Sequence, residues 1–568
     1  MPRTDLVLLH APSVYDFRQR TILFGPISDI IPSTPIFEMY PIGFISISEY
    51  LQRAGYRVRI FNLAVRMLRD PNFDVPKLIE SLNSPVYGID LHWLPHAHGA
   101  IEIARLVKRY HPESKLVIGG LSASYYYQEL FHYPEIDYVL RGDTTEEPFR
   151  QLMDCILMGE KPEAVPNLAW RDEKGEMHQN PLSHVPSDLN DVMVHYYDHT
   201  VRSAIRYRDL ANYLPFKRWL RYPITAVLTC RGCTQNCIYC GGSAAAFRRA
   251  FNRDRPAFRP AEAVAHDVKR ISQITKGPIF ILGDIRQPGE EYAYRLLELL
   301  AKDRKKNQII LELFNPAPKS FLKRMGEACP GFCLEISPES HHPQVRKSIG
   351  KDYSNEALEE TMEGALEAGC SRLDVFFMIG LPHQTPSSVM DTIGYCDFLL
   401  DRFGTDKRVS PFISPLAPFL DPGSLAFEEP ERYGYRLLFR SLEEHRQALL
   451  EPSWKYTLNY ETQWMSRQEI VETSYEAILS LNRIKARHGT IPKGLAESME
   501  NRMNTALEML QRIDDIVAQG KVGELSRIKA TVDAVNMSAA SDMRELELPT
   551  ASIALRPLRT LWSLARGR

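Results

Sequence analysis

The chain of 568 residues carries 69 lysines and arginines against 71 aspartates and glutamates, a formal net charge of -2. That length exceeds a single hydrophobic core and predicts two or three domains, and the near-neutral balance supplies no overall field to recruit nucleic acid. No apolar run reaches the roughly 20 residues of a membrane span, and the nine cysteines form no disulfide-like framework, so we expect a cytoplasmic protein without nucleic-acid partners.

The first region, residues 1–158, alternates β-branched runs with amphipathic helical stretches. Five of the runs are typical of strands: "DLVLLH", "RVRIFNLA", "VYGIDLHW", "KLVIGG" and "IDYVLRGD". Alternation of strands and helices predicts a Rossmann-like, doubly wound parallel sheet, in which ligands bind at the carboxyl ends of the strands. The loops after these strands are therefore where a site is expected.

Two of those loops carry residues suited to a ligand. Asp90, His92 and Trp93 follow the third strand, and Gly119 and Gly120 follow the fourth. A glycine pair lets a ligand approach the backbone because neither residue has a Cβ. A tight turn and a hydrogen-bonded structural histidine are the commoner explanations of such residues.

The spacing of these loops resembles the cobalamin-binding domain, which has Ser-x-Leu after the third strand and Gly-Gly further on. Here Asp90-Leu91-His92 takes the first place, and the 26 residues from Trp93 to Ile118 separate it from the glycines. In cobalamin mutases and methionine synthase a histidine motif after the first strand ligates cobalt, whereas this chain reads "HAPSVYDF" there. The resemblance implies a cobalamin held without that ligand, with His92 and Trp93 near the lower face of the corrin; ligation by His92 is the alternative.

Residues 159–222 are rich in proline, aspartate and lysine and include the turn-like "RDEKGE". We interpret them as a connection between two domains.

Four cysteines lie within eleven positions: Cys230, Cys233, Cys237 and Cys240. Zinc ribbons separate two Cys-x-x-Cys pairs by a dozen or more residues, and bacterial ferredoxins need a Cys-x2-Cys-x2-Cys run; neither spacing occurs here. Cys233-x3-Cys237-x2-Cys240, with Tyr239 before the last cysteine, resembles the radical S-adenosylmethionine signature. The resemblance implies three thiolates on a 4Fe-4S cluster whose fourth iron binds S-adenosylmethionine, and leaves Cys230 as an accessory thiol.

Residues 223–424 contain six strand-like runs: "ITAVLTC", "PIFILGD", "IILELFNP", "FCLEISPES", "RLDVFFMIGLP" and "VSPFISPLAPF". Six such βα units imply the open (β/α)6 barrel of the family, with the chemistry at the carboxyl ends of the strands. By the same resemblance Gly283 and Asp284 are expected near the amino group of S-adenosylmethionine. Glu335, Ser337 and Glu339 are candidates for ribose contacts, although a polar barrel lumen would show the same alternation.

The third region, residues 425–568, is predicted to be mainly helical and to form a cap. It begins with an aromatic-rich stretch and ends with "IALRPLRTLWSLARGR", whose leucines and arginines suit a membrane surface. A disordered basic tail is an equal alternative.

As a whole the chain resembles cobalamin-dependent radical S-adenosylmethionine enzymes. That resemblance implies cobalamin, a 4Fe-4S cluster, S-adenosylmethionine and a reductant such as flavodoxin or ferredoxin. The favoured reaction is C-methylation of an unactivated carbon. Radical cyclisation or rearrangement, and a sensor without turnover, are the alternatives. We expect a partly apolar small molecule or lipid as substrate, with peripheral membrane contact if the tail anchors.

Overall fold

The computed structural model describes residues 4–26, 34–190, 203, 205–209, 212, 214–219, 221–302, 307–404, 407–416, 418–536, 545 and 548. The predicted amphipathic tail therefore lies outside the described residues.

The first region folds around a seven-stranded sheet in the order β2-β1-β3-β4-β5-β6-β7. The strands are β1 Leu6–His10, β2 Val58–Asn62, β3 Val86–Asp90, β4 Lys115–Gly119, β5 Tyr138–Leu140, β6 Leu168–Arg171 and β7 Met177–Gln179. The helices are α1 Ile42–Arg53, α2 Leu63–Arg69, α3 Val75–Ser81, α4 Ala97–Tyr110, α5 Leu121–Tyr125, α6 Tyr127–Leu130 and α7 Glu146–Met158.

Strands β1 to β5 are parallel, and hydrophobic clusters cover both faces of the sheet. Burial on two faces explains why these strands are nearly uniform in apolar character. The Rossmann-like fold is thus confirmed. The "RDEKGE" turn joins β6 to β7, and this hairpin extends the sheet antiparallel to β5. Part of the segment interpreted as a connection therefore belongs to the first sheet, while the predicted domain limits remain predictions.

The second region is an open barrel of six parallel strands in the order β15-β14-β13-β12-β11-β8. They are β8 Thr225–Leu228, β11 Ile279–Leu282, β12 Ile309–Leu313, β13 Cys333–Glu339, β14 Arg372–Ile379 and β15 Val409–Pro415; the short pair β9 Cys230–Arg231 and β10 Ala257–Phe258 is antiparallel. The helices are α8 Ala244–Phe251, α9 Ala261–Ile274, α10 Glu290–Ala301, α11 Lys319–Ala328, α12 Pro343–Ser348, α13 Asn355–Glu367 and α14 Pro386–Phe403. All six predicted strands are present, which confirms the partial barrel.

The third region is mainly helical, as predicted, and adds a small antiparallel hairpin, β16 Tyr435–Leu437 with β17 Tyr460–Thr462. Its helices are α15 Leu425–Glu428, α16 Leu442–Ala448, α17 Trp454–Thr457, α18 Arg467–Arg487, α19 Lys493–Ala518 and α20 Leu525–Asn536. Helix α18 packs on α14 and β15 and so covers the open side of the barrel. Helix α16 packs on α4, so this region also contacts the first. None of the described helices has the length and apolar character needed to span a bilayer.

Candidate active site

The cysteine motif forms a loop at the barrel's strand ends, between β9 and α8. The backbone N–H of Gln235 donates to Cys233 Sγ and that of Gly242 to Cys240 Sγ, both at 3.3 Å. Burial raises the pKa of the Cys233, Cys237 and Cys240 thiols, so binding of iron has to displace their protons. The loop thus already offers hydrogen bonds to two of the sulfur atoms.

The spacing of these thiols bears on which metal they suit. Among the described residues, their three sulfur atoms do not all lie within 4.8 Å of one another. A single zinc ion with 2.3 Å bonds would hold sulfurs roughly 3.8 Å apart. The three sulfur atoms are therefore not all as close together as the ligands of one zinc ion.

Cys230 is the first residue of β9 and precedes this loop in the chain. Its thiol donates to the Gly232 carbonyl at 3.5 Å and contacts Gln287 Nε2 at 4.0 Å. Its role as an accessory thiol stays a prediction.

Tyr239, inside the motif, connects the cysteine loop to the end of β13. Its hydroxyl donates to Glu339 Oε1 at 3.0 Å, and Lys351 Nζ donates to the same oxygen at 2.7 Å. Glu339 adopts φ +64°, in the left-handed region that non-glycine residues seldom occupy, next to a register shift between Ile336 and Glu339. Its Oε2 is buried and without a partner among the described residues, which fits an acceptor for a ribose hydroxyl of S-adenosylmethionine.

The residues at the end of β11 that are predicted to bind the amino group already make hydrogen bonds within the protein. Asp284 accepts from Arg286 Nε at 2.9 Å and from the Phe314 N–H at 3.0 Å. Its carboxylate therefore connects the end of β11 to the end of β12. Gly283, with φ +88°, donates its N–H to Glu312. Burial raises the pKa of Glu312 to about 7, and this carboxyl beside Gly283 is suited to accept a hydrogen bond from an amino group.

Glu335 and Ser337 also lie on β13. Glu335 pairs in register with Glu312 on β12 and with Asp374 on β14, so the three carboxyls form one layer across neighbouring strands. The Ser337 carbonyl accepts from Lys351 Nζ. Neither arrangement tests the predicted ribose contacts.

The loops predicted to bind cobalamin meet at the ends of β1, β3 and β4. Asp90 accepts from His10 Nδ1 at 3.0 Å and from His92 Nδ1 at 2.6 Å. Gly120, with φ +121°, packs against the His92 backbone, where a Cβ would lie 2.5 Å from His92 Cα and N. The glycine therefore serves this loop–loop packing.

A pocket of about 150 Å³ extends beneath these loops, between the sheet and helices α1 and α7. Its lining includes Gly88, Gly119 and Gly120 with the apolar side chains of Leu8, Phe44, Val117 and Phe149. A Cβ on Gly88 would come within 2.6 Å of Leu8. Asp90, His92, Asp143, Glu146 and Arg231 also line the pocket, so its apolar part suits an aromatic group such as the base of a cobalamin and its rim is polar.

Trp93 connects the cobalamin side to the cysteine loop through Asp421. Trp93 Nε1 donates to Asp421 Oδ1 and the Gly241 N–H to Asp421 Oδ2, both at 3.0 Å. Burial raises the pKa of the Asp421 carboxyl. One carboxyl thus joins a residue of the β3 loop to the residue after Cys240.

Two ion pairs fix the same domain junction. Arg231 pairs with Glu146 of α7, and Arg253 pairs with Asp143 in the loop before that helix. All four side chains are largely buried. The loop "RGDTTEEPF" therefore docks on both sides of the cysteine motif.

An apolar pocket of about 220 Å³ lies where the three regions meet. Phe37 and Trp93 come from the first region, Met378 and Ser414 from β14 and β15, and Trp454 from α17. Its described lining contains no charged side chain.

Sequence reasoning missed His10, Glu312 and Asp421. His10 ends a strand adjacent to β3 in a 2-1-3 order, so doubly wound topology would have placed it beside Asp90. Glu312 alternates with apolar residues on a barrel strand, which was the available signal. Asp421 lies in the turn-like stretch "LDPGS", which offers no sequence signal for a functional role.

Comparison with family models finds two matches on this chain. Residues 227–396 match the Radical SAM superfamily, and residues 30–153 match the B12 binding domain. The first match contains the cysteine loop, and the second contains the Asp90–His92 and Gly119–Gly120 loops.

Among curated proteins, the chain is 25% identical over 347 residues to a hopanoid C-3 methylase from Methylococcus capsulatus, covering 57% of this chain and 59% of that protein. It is 23% identical to a cytidylyl-2-hydroxyethylphosphonate methyltransferase from Streptomyces wedmorensis, covering 39% and 47%. The match thus spans roughly half of each of these relatives.

Solved structures share the fold. The radical S-adenosylmethionine methyltransferase TsrM from Kitasatospora setae aligns with a TM-score of 0.53 at 16% identity, over 76% of this chain and 78% of that one. The cobalamin-dependent enzyme OxsB aligns with a TM-score of 0.56 at 13% identity, over 100% and 80%.

Proposed function

Because the chain belongs to the cobalamin-binding radical S-adenosylmethionine family, we propose that it methylates an unactivated carbon of a small, largely apolar molecule. When bound, the cofactors supply a 5'-deoxyadenosyl radical and a transferable methyl group. The observation that carries the proposal is the apolar pocket between Trp93 and the ends of β14 and β15. It lies between the proposed cobalamin side and the barrel.

The lining of that pocket favours an uncharged substrate. Its polar side chains are Ser13, Ser414 and Thr457, and burying a charge without a partner is costly. A dry cavity of roughly 150 Å³ accommodates benzene, so about 220 Å³ encloses one or two rings of a larger molecule. Of the two relatives, one is named for a hopanoid and the other for a cytidylyl phosphonate; the uncharged lining favours a substrate of the first kind.

Different residues of the chain have different roles in this proposal. Cys233, Cys237 and Cys240 hold the cluster, Glu312 accepts a hydrogen bond from the amino group of S-adenosylmethionine, and Glu339 Oε2 accepts one from a ribose hydroxyl. Trp454, buried beside Gly25, closes the pocket and excludes water. An electron donor such as flavodoxin or ferredoxin completes the system.

The test is an anaerobic assay of the reconstituted chain with S-adenosylmethionine, a reductant and lipid or polar extracts. We expect both 5'-deoxyadenosine and S-adenosylhomocysteine, with a methylated product in the lipid fraction. Formation of deoxyadenosine alone would support cyclisation or rearrangement, and the absence of both products would support a sensor. Methylation confined to polar extracts would contradict the apolar substrate.

A matched pair of variants tests the pocket itself. Trp454→Ala enlarges the cavity and should alter selectivity among substrates of different size. Trp464→Ala removes a tryptophan that instead contacts His383, with ring centres 4.3 Å apart, and should leave selectivity unchanged.

Peripheral membrane contact is the last part of the proposal. It is supported by the apolar substrate class and by the composition of the tail, "IALRPLRTLWSLARGR". Liposome co-sedimentation of the full chain, compared with a chain ending at residue 550, tests it; equal sedimentation would contradict an anchoring tail.

A further inference from the structure

Three imidazoles and one carboxylate cluster at the ends of β1 and β3. The Asp90 carboxylate lies between His10 and His92, and the His96 ring is centred 4.9 Å from His10 and 4.8 Å from His92. His10, Asp90 and His96 are buried, whereas the His92 side chain is 27% exposed. His92 is thus the member of the cluster that a ligand can reach.

The hydrogen bonds show which ring nitrogens of this cluster face an acceptor. His10 Nδ1 lies 3.0 Å from Asp90, and its Nε2 lies 3.2 Å from the Phe37 carbonyl. His92 Nδ1 lies 2.6 Å from the same carboxylate. Because the carboxylate takes the Nδ1 side of the His92 ring, Nε2 is the nitrogen of this ring that is left for a ligand.

The His92 backbone is held firmly. The Leu91 N–H donates to the Gly119 carbonyl at 2.8 Å, the Ala123 N–H donates to the Leu91 carbonyl at 3.0 Å, and Gly120 packs directly on His92. Within the described part of the chain, no group hydrogen-bonds to His92 Nε2. A neutral imidazole fixed by a carboxylate on one nitrogen and bare on the other is the usual form of a metal-ligating histidine.

From this geometry we infer that His92 Nε2 is the lower axial ligand of cobalt in the bound cobalamin, with Asp90 and His10 positioning it. The inference rests on the proposed binding of cobalamin. It reverses the expectation of a histidine-free cobalt: the first-strand loop lacks the usual motif, but the loop after β3 supplies the imidazole, and His10 at the end of β1 holds the carboxylate behind it. His96 also has a bare, buried Nε2, yet at 1% exposure it is out of reach of a corrin.

The test is paramagnetic resonance of the cob(II)alamin form of the full-length holoprotein. An axial ¹⁴N ligand splits the cobalt lines into triplets, whereas an axial ¹⁵N ligand splits them into doublets. We expect triplets in ordinary protein and doublets in protein grown with ¹⁵N-labelled histidine and loaded with unlabelled cobalamin. Triplets that persist in the labelled protein would assign the ligand to the cobalamin's own base, and unsplit lines would show no nitrogen at all; either result overturns the inference.

Variants add an independent readout. His92→Ala should abolish the splitting, and added imidazole should restore it, while His96→Ala and the exposed His132→Ala should retain it. Asp90→Asn should weaken cobalamin binding by about 10- to 100-fold, as loss of a supporting carboxylate does at other metal sites. If cobalamin does not bind at all, the proposed function fails; if it binds and methyl transfer proceeds without histidine splitting, only this inference fails.

Discussion

Glu312 should make binding of S-adenosylmethionine depend on pH. Its carboxyl has a pKa of about 7 in the cofactor-free protein because burial disfavours the anion. The Gly283 N–H already occupies one oxygen of Glu312, so the other oxygen accepts from the amino group of S-adenosylmethionine only when the carboxyl is ionised. The apparent Kd therefore rises by a factor of about 11 at pH 6 and about 1.1 at pH 8, so affinity should improve about tenfold between those values.

The substitution Glu312→Gln removes this dependence. Loss of a charge-assisted hydrogen bond costs about 1.5 to 3 kcal/mol, so at pH 8 the variant should bind S-adenosylmethionine about ten- to a hundredfold more weakly, with a Kd that no longer changes with pH. Calorimetric titration of the cluster-loaded protein at several pH values measures both the loss of affinity and the pH dependence of the Kd. Glu290→Gln, on the exposed start of α10, is the control and should keep the wild-type slope.

Stability of the cofactor-free chain provides a second measurement. An acid whose pKa is raised on folding adds stability that is fully present below its unfolded pKa of 4.5 and is lost as pH rises towards 7. The shift corresponds to at most about 3 kcal/mol. Glu312→Gln should therefore raise the Tm at pH 8 relative to wild type. A pH-independent wild-type Kd, or the same slope in the variant, would refute the assignment of Glu312.

Three further predictions concern the junction and the cluster. Alanine at Cys233, Cys237 or Cys240 should abolish bound iron and sulfide, whereas Cys230→Ala should retain them; equal loss would add Cys230 to the ligands. Trp93→Phe and Asp421→Asn should each weaken cobalamin binding, and the double variant should show a coupling energy of about 1 to 2 kcal/mol, whereas strictly additive effects would mean that the hydrogen bond is not used. Arg231→Gln leaves Glu146 buried without its partner, a loss of about 3 to 5 kcal/mol. It should lower the Tm, while Arg249→Gln, at a side chain 41% exposed, should not.

Local pattern predicted most of the fold. Most strands of both sheets are runs of apolar, often β-branched residues, and the helix over residues 493–518 has a clear apolar period. The β16–β17 hairpin was missed because its strands are only three residues long and 22 residues intervene between them. Strands of that length carry too few residues to show a period.

The site was less predictable because its polar contacts join distant parts of the chain. The carboxyl of Asp284, which is predicted to lie near the cofactor, accepts hydrogen bonds from Arg286 two residues away and from the backbone of Phe314 just after the next strand. Glu339 was placed correctly on a strand end, but its bond to Tyr239 spans 100 residues. The contacts of Phe314 and Tyr239 have no signature in the local sequence, because each joins parts of the barrel that are far apart along the chain.

Asp421 connects the predicted cobalamin site to the cysteine loop through long-range contacts. Gly241 follows the last cysteine of the motif, and a Cβ there would lie 2.8 Å from the Cβ of Asp421. The absence of a side chain at this position is thus explained by the approach of the barrel's last loop. The same carboxyl receives Trp93 from the β3 loop, next to the proposed cobalt ligand. A displacement of that loop must therefore either break a hydrogen bond of Asp421 or move Gly241 and, with it, Cys240.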